Sequence, residues 1–260
     1  MPQNSPVDFT ERVRLAHADA WEMDGRARTQ SGGGAARVGG ARLMSSGLPA
    51  RQWNNGDVIG LPVDVEAATR WYAGRSVPWG LSVPVEMDYA PGAFIFTKRL
   101  MGLEPAAFAP SAPPNGVGLR EAEPHELDAY AALDAQVFES PIEPLRSWIA
   151  GSFDVPGCTH WLAEIDGRPI GILRAQRTDL DGGPCGTITG VGVVDGYRRR
   201  GIGVALTSHA CAALFDAGVT LVHINPDTDA AASVYSRVGF REVPGLNVYA
   251  MSSGGPCQPR

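Results

Sequence analysis

The stretch from Val191 to Leu206, VGVVDGYRRRGIGVAL, constrains this chain more than any other. A β-branched run gives way to three arginines flanked by glycines, and an amphipathic helical pattern starts at once, so a strand must feed a helix N-terminus. The glycines let the backbone turn and leave amide N–H groups uncovered. Arg198, Arg199 and Arg200 add positive charge where the helix dipole is already positive. An anion is expected at this terminus.

With 260 residues and 44% hydrophobic composition the chain can bury a sizeable core, as one large domain or two ordinary ones. No 18-residue apolar run is present, and MPQNSPVDFTERVRLAH is too polar for a signal peptide, so a soluble, cytoplasmic protein is expected. Cys158, Cys185, Cys211 and Cys257 form no CxxC pair, which argues against zinc or a disulfide framework and for free thiols. Residues 1–116 carry 11 acidic and 11 basic side chains, whereas 117–260 carry 17 and 11, so the net −6 belongs to the second half. That field disfavours nucleic acid and attracts small cations, with the arginine triplet as a local exception suited to phosphate.

In the first half, residues 8–22 have helical spacing, the run from Asp24 to Gly40 reads as a flexible glycine-rich loop, short strands follow, and a helix spans Val65 to Arg75. WGLSVPVEM and AFIFTKRL are further strands. The proline-rich stretch 104–116 marks a boundary, which gives an N-terminal domain over 1–110, a linker over 111–116, a second domain over 117–250 and a flexible tail over 251–260. In the second domain a strand at 117–122 precedes helices over Pro124 to Phe138 and Ile142 to Ile149. A hairpin then turns at Asp166-Gly167. CGTITGVGVV leads into the arginine loop and its helix, and VTLVHIN has the two-sided apolar pattern of a covered strand. His223 and Asn225 share one of its faces. The last helix is capped by Asp227 or Thr228, carries Ala231, Val234, Tyr235 and Val238 on one stripe, and ends at Gly239.

Two common phosphate loops do not fit. GIGVAL has Leu206 where a dinucleotide fingerprint needs its third glycine, and an ATP-type loop needs GK[ST], whereas the sole lysine is Lys98. Across 117–250 the chain resembles the GNAT superfamily of N-acetyltransferases. Val193-Val194-Asp195-Gly196-Tyr197-Arg198 stands for the family's V-x-P-x-Y-R, with Asp195 in place of proline. Arg198-Arg199-Arg200-Gly201-Ile202-Gly203 matches RxxGxG/A, and Ala231, Tyr235 and Gly239-Phe240 match AxxxY followed by GF.

The resemblance implies an α/β fold, a mixed central sheet with splayed parallel strands and flanking helices, here preceded by a smaller α+β domain. It implies acetyl-coenzyme A as co-substrate, with no metal. The pyrophosphate would lie on Arg198, Arg199, Arg200, Gly201, Ile202, Gly203 and Val204, the pantetheine arm on the main chain at Val191 and Val193, and Tyr235 would serve the leaving thiolate. The glutamate that many members carry on the strand before the loop is missing from Gly186 to Val191. Glu139 and Glu143 are the candidate bases, with His160 or a water held by Thr187 and Thr189 as alternatives. The asparagine often found seven residues before the tyrosine is Thr228 here.

The expected reaction is direct acetyl transfer to a small, cationic amine: an antibiotic, a polyamine-like metabolite or an amino-acid derivative. The alternatives are a protein or peptide N-acetyltransferase and a non-catalytic acyl-coenzyme A-binding module. The partners expected are the small-molecule amine and at most a second copy of the chain as a homodimer, with no nucleic acid and no membrane. The helix, strand, strand and Met101-Gly102-Leu103 order of the first half loosely echoes the tyrosine helix and closing strands of the second, which suggests a reduced copy of the same fold. Trp53, Asn54, Asn55, Trp71, Trp79 and Phe96 could wall a substrate pocket or fill the first domain's own core.

Overall fold

The computed structural model describes residues 8–251, so Cys257 and the tail expected after Met251 lie outside the described residues. Asp8 caps helix α1 (Phe9–Ala27) by accepting from the Thr10 amide at 3.3 Å. The helix runs past Glu22, its predicted end, because its last turns are buried. Asp24 there takes ion pairs from Arg28 at 2.9 Å and from Arg174 of the second half at 2.6 Å.

The glycine-rich run expected to be a flexible loop instead contains strand β1 (Gly34–Val38), paired with β2 (Ala41–Ser45). Its glycines serve close approach: a Cβ on Gly25 would overlap the Gly34 carbonyl, so helix and strand meet backbone to backbone. Next come β3 (Asn54–Val58), α2 (Val65–Ala73), β4 (Trp79–Pro84) and β5 (Ala93–Leu103). The second half follows as β6 (Gly118–Glu121), α3 (Leu127–Val137), α4 (Ile142–Phe153), β7 (Cys158–Ile165), β8 (Arg168–Leu180) and β9 (Gly183–Val193). It ends with α5 (Ile202–Asp216), β10 (Leu221–Ile224), α6 (Asp229–Val238) and β11 (Arg241–Met251). The β7–β8 turn has Asp166 and Gly167 both at positive φ, 51° and 74°, as a two-residue hairpin with native twist requires.

All strands join one 11-stranded sheet in the order β1-β2-β3-β4-β11-β5-β10-β9-β8-β7-β6. Apart from the additional edge strand β6, the order mirrors itself about the β11–β5 pair. On each side one parallel contact, β3 with β4 and β10 with β9, lies between antiparallel ones. The halves exchange their last strands, since β5 pairs with β10 and β11 pairs with β4. In this arrangement α2 crosses between the parallel strands β3 and β4, as α5 does between β9 and β10. It therefore takes the place of α5 rather than that of the tyrosine helix it was expected to echo.

Strand alternation divides the core into two layers. On one face α1 packs on Leu100, Cys185 and Leu221, and α3 and α4 pack on Leu162 and Ile172. On the other, α5 and α6 cover Ile188, Val222 and Ile224, while α2 covers Leu81 and Tyr249. The stretch 104–116 crosses this second layer, where the Ala109 amide donates to the Val238 carbonyl and Phe108 meets Phe215 edge-on. No helix of the described residues is long and apolar enough to cross a membrane.

Candidate active site

The parallel ladder of β9 and β10 runs from Cys185 opposite Leu221 to Ile188 opposite Ile224, where β10 stops. β9 continues to Val193. A bulge lies in this extension: Arg174 of β8 faces Thr189, Ile172 faces Gly192, and Gly190 between them has φ 61°. Beyond Ile224 the two strands part, and the β10-facing main chain of residues 189–193 has no strand to pair with. Main-chain groups in such a gap need a partner. The gap is part of a cavity of about 1510 Å³.

Val191 and Val193 turn their side chains into the apolar layer under α5, so only their main chain faces the cleft. The loop that follows is wound by two residues at positive φ, Arg199 at 61° and Gly201 at 83°. Ala205 is the first residue of α5 to donate inside the helix, to the Gly201 carbonyl at 3.0 Å, and the amides of residues 199–204 donate to no described residue. Together they form a concave nest at the positive end of a helix. Gly201, Ile202, Gly203 and Val204 all line the cavity.

The three arginines, alike in sequence, have different jobs. The Arg198 guanidinium donates to the Val193 and Val137 carbonyls at 2.8 and 3.1 Å and pairs with Asp195 at 2.7 Å, so it ties the loop to β9 and α3. Arg200 folds back on the Gly196 carbonyl and the Tyr197 ring, and it does not line the cavity. Arg199 lines the cavity and makes no hydrogen bond to a described side chain or carbonyl.

Tyr235 reaches the cavity from α6, which Thr228 caps by accepting from the Ala231 amide at 3.1 Å and Gly239 ends at φ 107°. Its hydroxyl bonds to no described residue, and burial, then the charge of Asp227, pushes its pKa up to about 12. Phenol at that value lies roughly three units above an ordinary thiol, so it is a better hydrogen-bond donor to a thiolate than a full proton donor.

Neither Glu139 nor Glu143 lines the cavity: both are exposed, Glu139 at a positive φ of 50° after α3 and Glu143 at non-helical angles in α4. His160 lines it, but burial, then Arg174, lowers its pKa to about 3, and its ring bonds to Ser152 and stacks on Phe153. The Thr187 hydroxyl is engaged by His223 Nε2 at 2.5 Å, which also places His223 on the α1 face of the sheet. Asn225 spends its amide on the Arg99 carbonyl at 3.1 Å.

Sequence reasoning missed Asp134. It lies on the buried stripe of α3 with Tyr130 and Val137, and its carboxylate is the nearest group, at 3.8 Å, to where a Cβ on Gly190 would project. Burial alone raises its pKa to about 6. An acid four residues after a buried tyrosine and three before a buried valine was the available signal. The cavity between α1, α3 and α4 is also walled by Trp21, Trp53 and Trp148, the last two stacked with centroids 5.3 Å apart. Trp71 and Trp79 instead pack on Tyr72 in the first half's own core. Among the described residues no group of three His, Cys, Asp or Glu could hold a metal ion.

The sequence model of the acetyltransferase (GNAT) family matches residues 125–240. A comparison with curated proteins finds no match. Among solved structures, a GCN5-related N-acetyltransferase from Kribbella flavida superposes with TM-score 0.67 at 19% identity, over 95% of this chain and 98% of that one. A functionally unknown conserved protein from Staphylococcus epidermidis gives TM-score 0.60 at 15% identity, over 83% and 92% of the two chains. A putative acetyltransferase of the GNAT family from Novosphingobium aromaticivorans gives 0.57 at 17%, over 90% and 98%. At such identities these likenesses establish a shared fold, and that fold spans both halves of the chain. Residues 125–240, with the split strands, the bulge and the helix terminus described above, form a domain of the acetyltransferase (GNAT) family.

Proposed function

We propose that this protein transfers an acetyl group from acetyl-coenzyme A to a small amine, cationic until it reacts. One observation carries the reading: unpaired main chain in the β9–β10 gap runs directly into unpaired amides at the start of α5. An elongated ligand with amide groups at one end and a pyrophosphate at the other complements both. The residues present fit that co-substrate, with the nest at 199–204 and Arg199 for the pyrophosphate and the main chain of 189–193 for the pantetheine arm.

The acceptor then enters between α1, α3 and α4. Its ammonium gives a proton to Asp134, the amine lone pair forms the C–N bond at the thioester carbonyl, the C–S bond breaks, and the proton that the acylated nitrogen then sheds is taken up by the thiolate, which leaves as the thiol. Main-chain N–H groups at the bulge polarise the carbonyl, and Tyr235 donates a hydrogen bond to the departing thiolate. The tryptophan walls of a chamber set between three helices favour a small acceptor over a polypeptide. The mirrored strand order supports reading the first half as a reduced copy of the same fold that lends β5 to the site.

Native mass spectrometry of the purified protein, followed by a thiol-release screen of amines with several acyl-coenzyme A donors, tests this reading. Bound coenzyme A and amine-dependent thiol release are expected. Binding without release from any amine would leave a non-catalytic module, and absence of binding would overturn the reading.

A further inference from the structure

Lys98 is the only lysine in the chain, and it lines the cavity from β5, the strand that the first half lends to the second. Its Nζ lies 3.1 Å from His17 Nε2 and 5.3 Å from the Trp21 ring centroid. Trp21 Nε1 also donates to that same His17 nitrogen at 3.0 Å, while His17 Nδ1 meets Asp57 Oδ2 at 2.7 Å. An ammonium and an indole can only donate, so Nε2 is the acceptor and Nδ1 carries the hydrogen given to Asp57. This fixes the neutral tautomer of His17, in keeping with the lowering of its pKa by burial. One of the three Lys98 donors is thus used, in a bond shared with Trp21.

No described carboxylate lies within 4.0 Å of Nζ. Asp57 acts at a distance through His17, and Asp227 is exposed at the cavity mouth. Arg28 and Arg174 share Asp24, and Asp134, which has no cation partner, lies across the gap beside Gly190. Lys98 is half-buried at the wall of the cavity, with spare donors and braced from behind. Burial lowers its pKa, against the pull of Asp57 and Asp227, so an anion placed beside Nζ would stabilise the ammonium.

Its position relative to the reaction centre follows from register. β5 pairs with β10 as Gly102 opposite His223 and Met101 opposite Ile224, so continuing three residues sets Lys98 across from position 227. The β9 register continued likewise sets Val191 across from position 227. Lys98 and the Gly190–Val191 bulge therefore flank the gap left where β10 ends, at least two strand spacings, roughly 10 Å, apart. Lys98 reaches into the chamber from one side, on the α1 face, and Asp134 comes down from α3 beside Gly190 on the other.

We infer that the acceptor is an amine that also carries a carboxylate, an amino-acid-like molecule whose anionic end is held by Lys98 while its amine faces Asp134 and the thioester. The inference rests on the acetyl-transfer reading and adds the chemical class of the acceptor. Trp21 and Trp148 supply the apolar wall for the rest of the molecule.

The test is a thiol-release assay with acetyl-coenzyme A over the standard amino acids, each paired with its own carboxamide, on the wild-type protein and on Lys98→Met and Lys98→Arg. At least one acid should be preferred over its amide by roughly 10- to 150-fold in kcat/KM, the range for one hydrogen-bonded charge. Lys98→Met should erase that preference through the KM of the acid, and Lys98→Arg, which keeps the cation, should retain most of it. Amides used as well as acids, a preference that survives in Lys98→Met, or no acid/amide pair used at all would each overturn the inference. Coenzyme A binding, measured in the same samples by native mass spectrometry, reports separately on fold integrity and on the acetyl-transfer reading.

Discussion

Replacing Asp134 by Asn separates a catalytic carboxylate from a structural one, because the two roles have opposite effects on stability. Burial is the single cause that raises this carboxyl from its ordinary 3.8 to about 6, with no hydrogen bond or cation to offset it. The folded chain therefore binds the proton more tightly than the unfolded chain does. Its contribution to stability is full below pH 3.8 and declines as pH rises to about 6, where the charge must be kept in place. The shift of about two units corresponds to at most about 3 kcal/mol, and partial hydration from the cavity reduces that to about 1–3 kcal/mol.

Asn keeps the shape and removes the charge. Relative to wild type, Asp134→Asn should gain that 1–3 kcal/mol between pH 3.5 and 7.5, read as the difference between urea-unfolding curves at each pH. Over the same range it should lose roughly 10²- to 10⁴-fold in kcat, the range for removing a positioned base. The wild-type rate should fall below about pH 6, and that acid limb should vanish in the variant. A variant with wild-type turnover, an unchanged acid limb, or a stability difference that ignores pH would refute the assignment.

Three further outcomes follow from the geometry. Tyr235→Phe should lower kcat roughly 10- to 150-fold by removing one hydrogen bond to developing charge, with acetyl-coenzyme A affinity unchanged in a titration. Gly192→Ala should cost about 1–3 kcal/mol in urea unfolding, because its methyl would overlap Val137 Cγ1 and press the Phe138 ring at 3.2 Å. Arg198→Ala should lower the melting temperature, since it unties two carbonyls from the loop, whereas Arg199→Ala should leave it unchanged and weaken coenzyme A binding mainly at low salt.

The proposed donor side of the site was legible in the chain because its structure is local. The turn glycines, the arginine loop, the Thr228 cap and the αL Gly239 all act within a few residues of themselves, and the structure has them in the elements their sequence indicates. The glycines at 25 and 34 were misread for the opposite reason, since what they permit is contact between a helix and a strand nine residues away. The arginines at 198, 199 and 200 were indistinguishable until the Val137 and Val193 carbonyls came into view. Glu139 and Glu143 were natural candidates by residue type and proximity, yet both face solvent, while Asp134 was hidden in an apolar stripe.

By itself the sequence determined which loop offers unpaired amides at a helix start, the proposed anion site, which strand leads to it, and which tyrosine stands across the cleft. Only the tertiary structure decided what faces that tyrosine. β5 enters the sheet between β10 and β11, separated by β11 from β4, which precedes it in the chain, and brings Lys98 to a chamber whose other walls include α1, α3, α4, β8 and β9. Strand exchange of this kind leaves no local trace, because main-chain hydrogen bonds are the same whichever segment supplies them. The acceptor side of the cleft is for that reason a product of long-range pairing, and the donor side a product of short-range turns and caps.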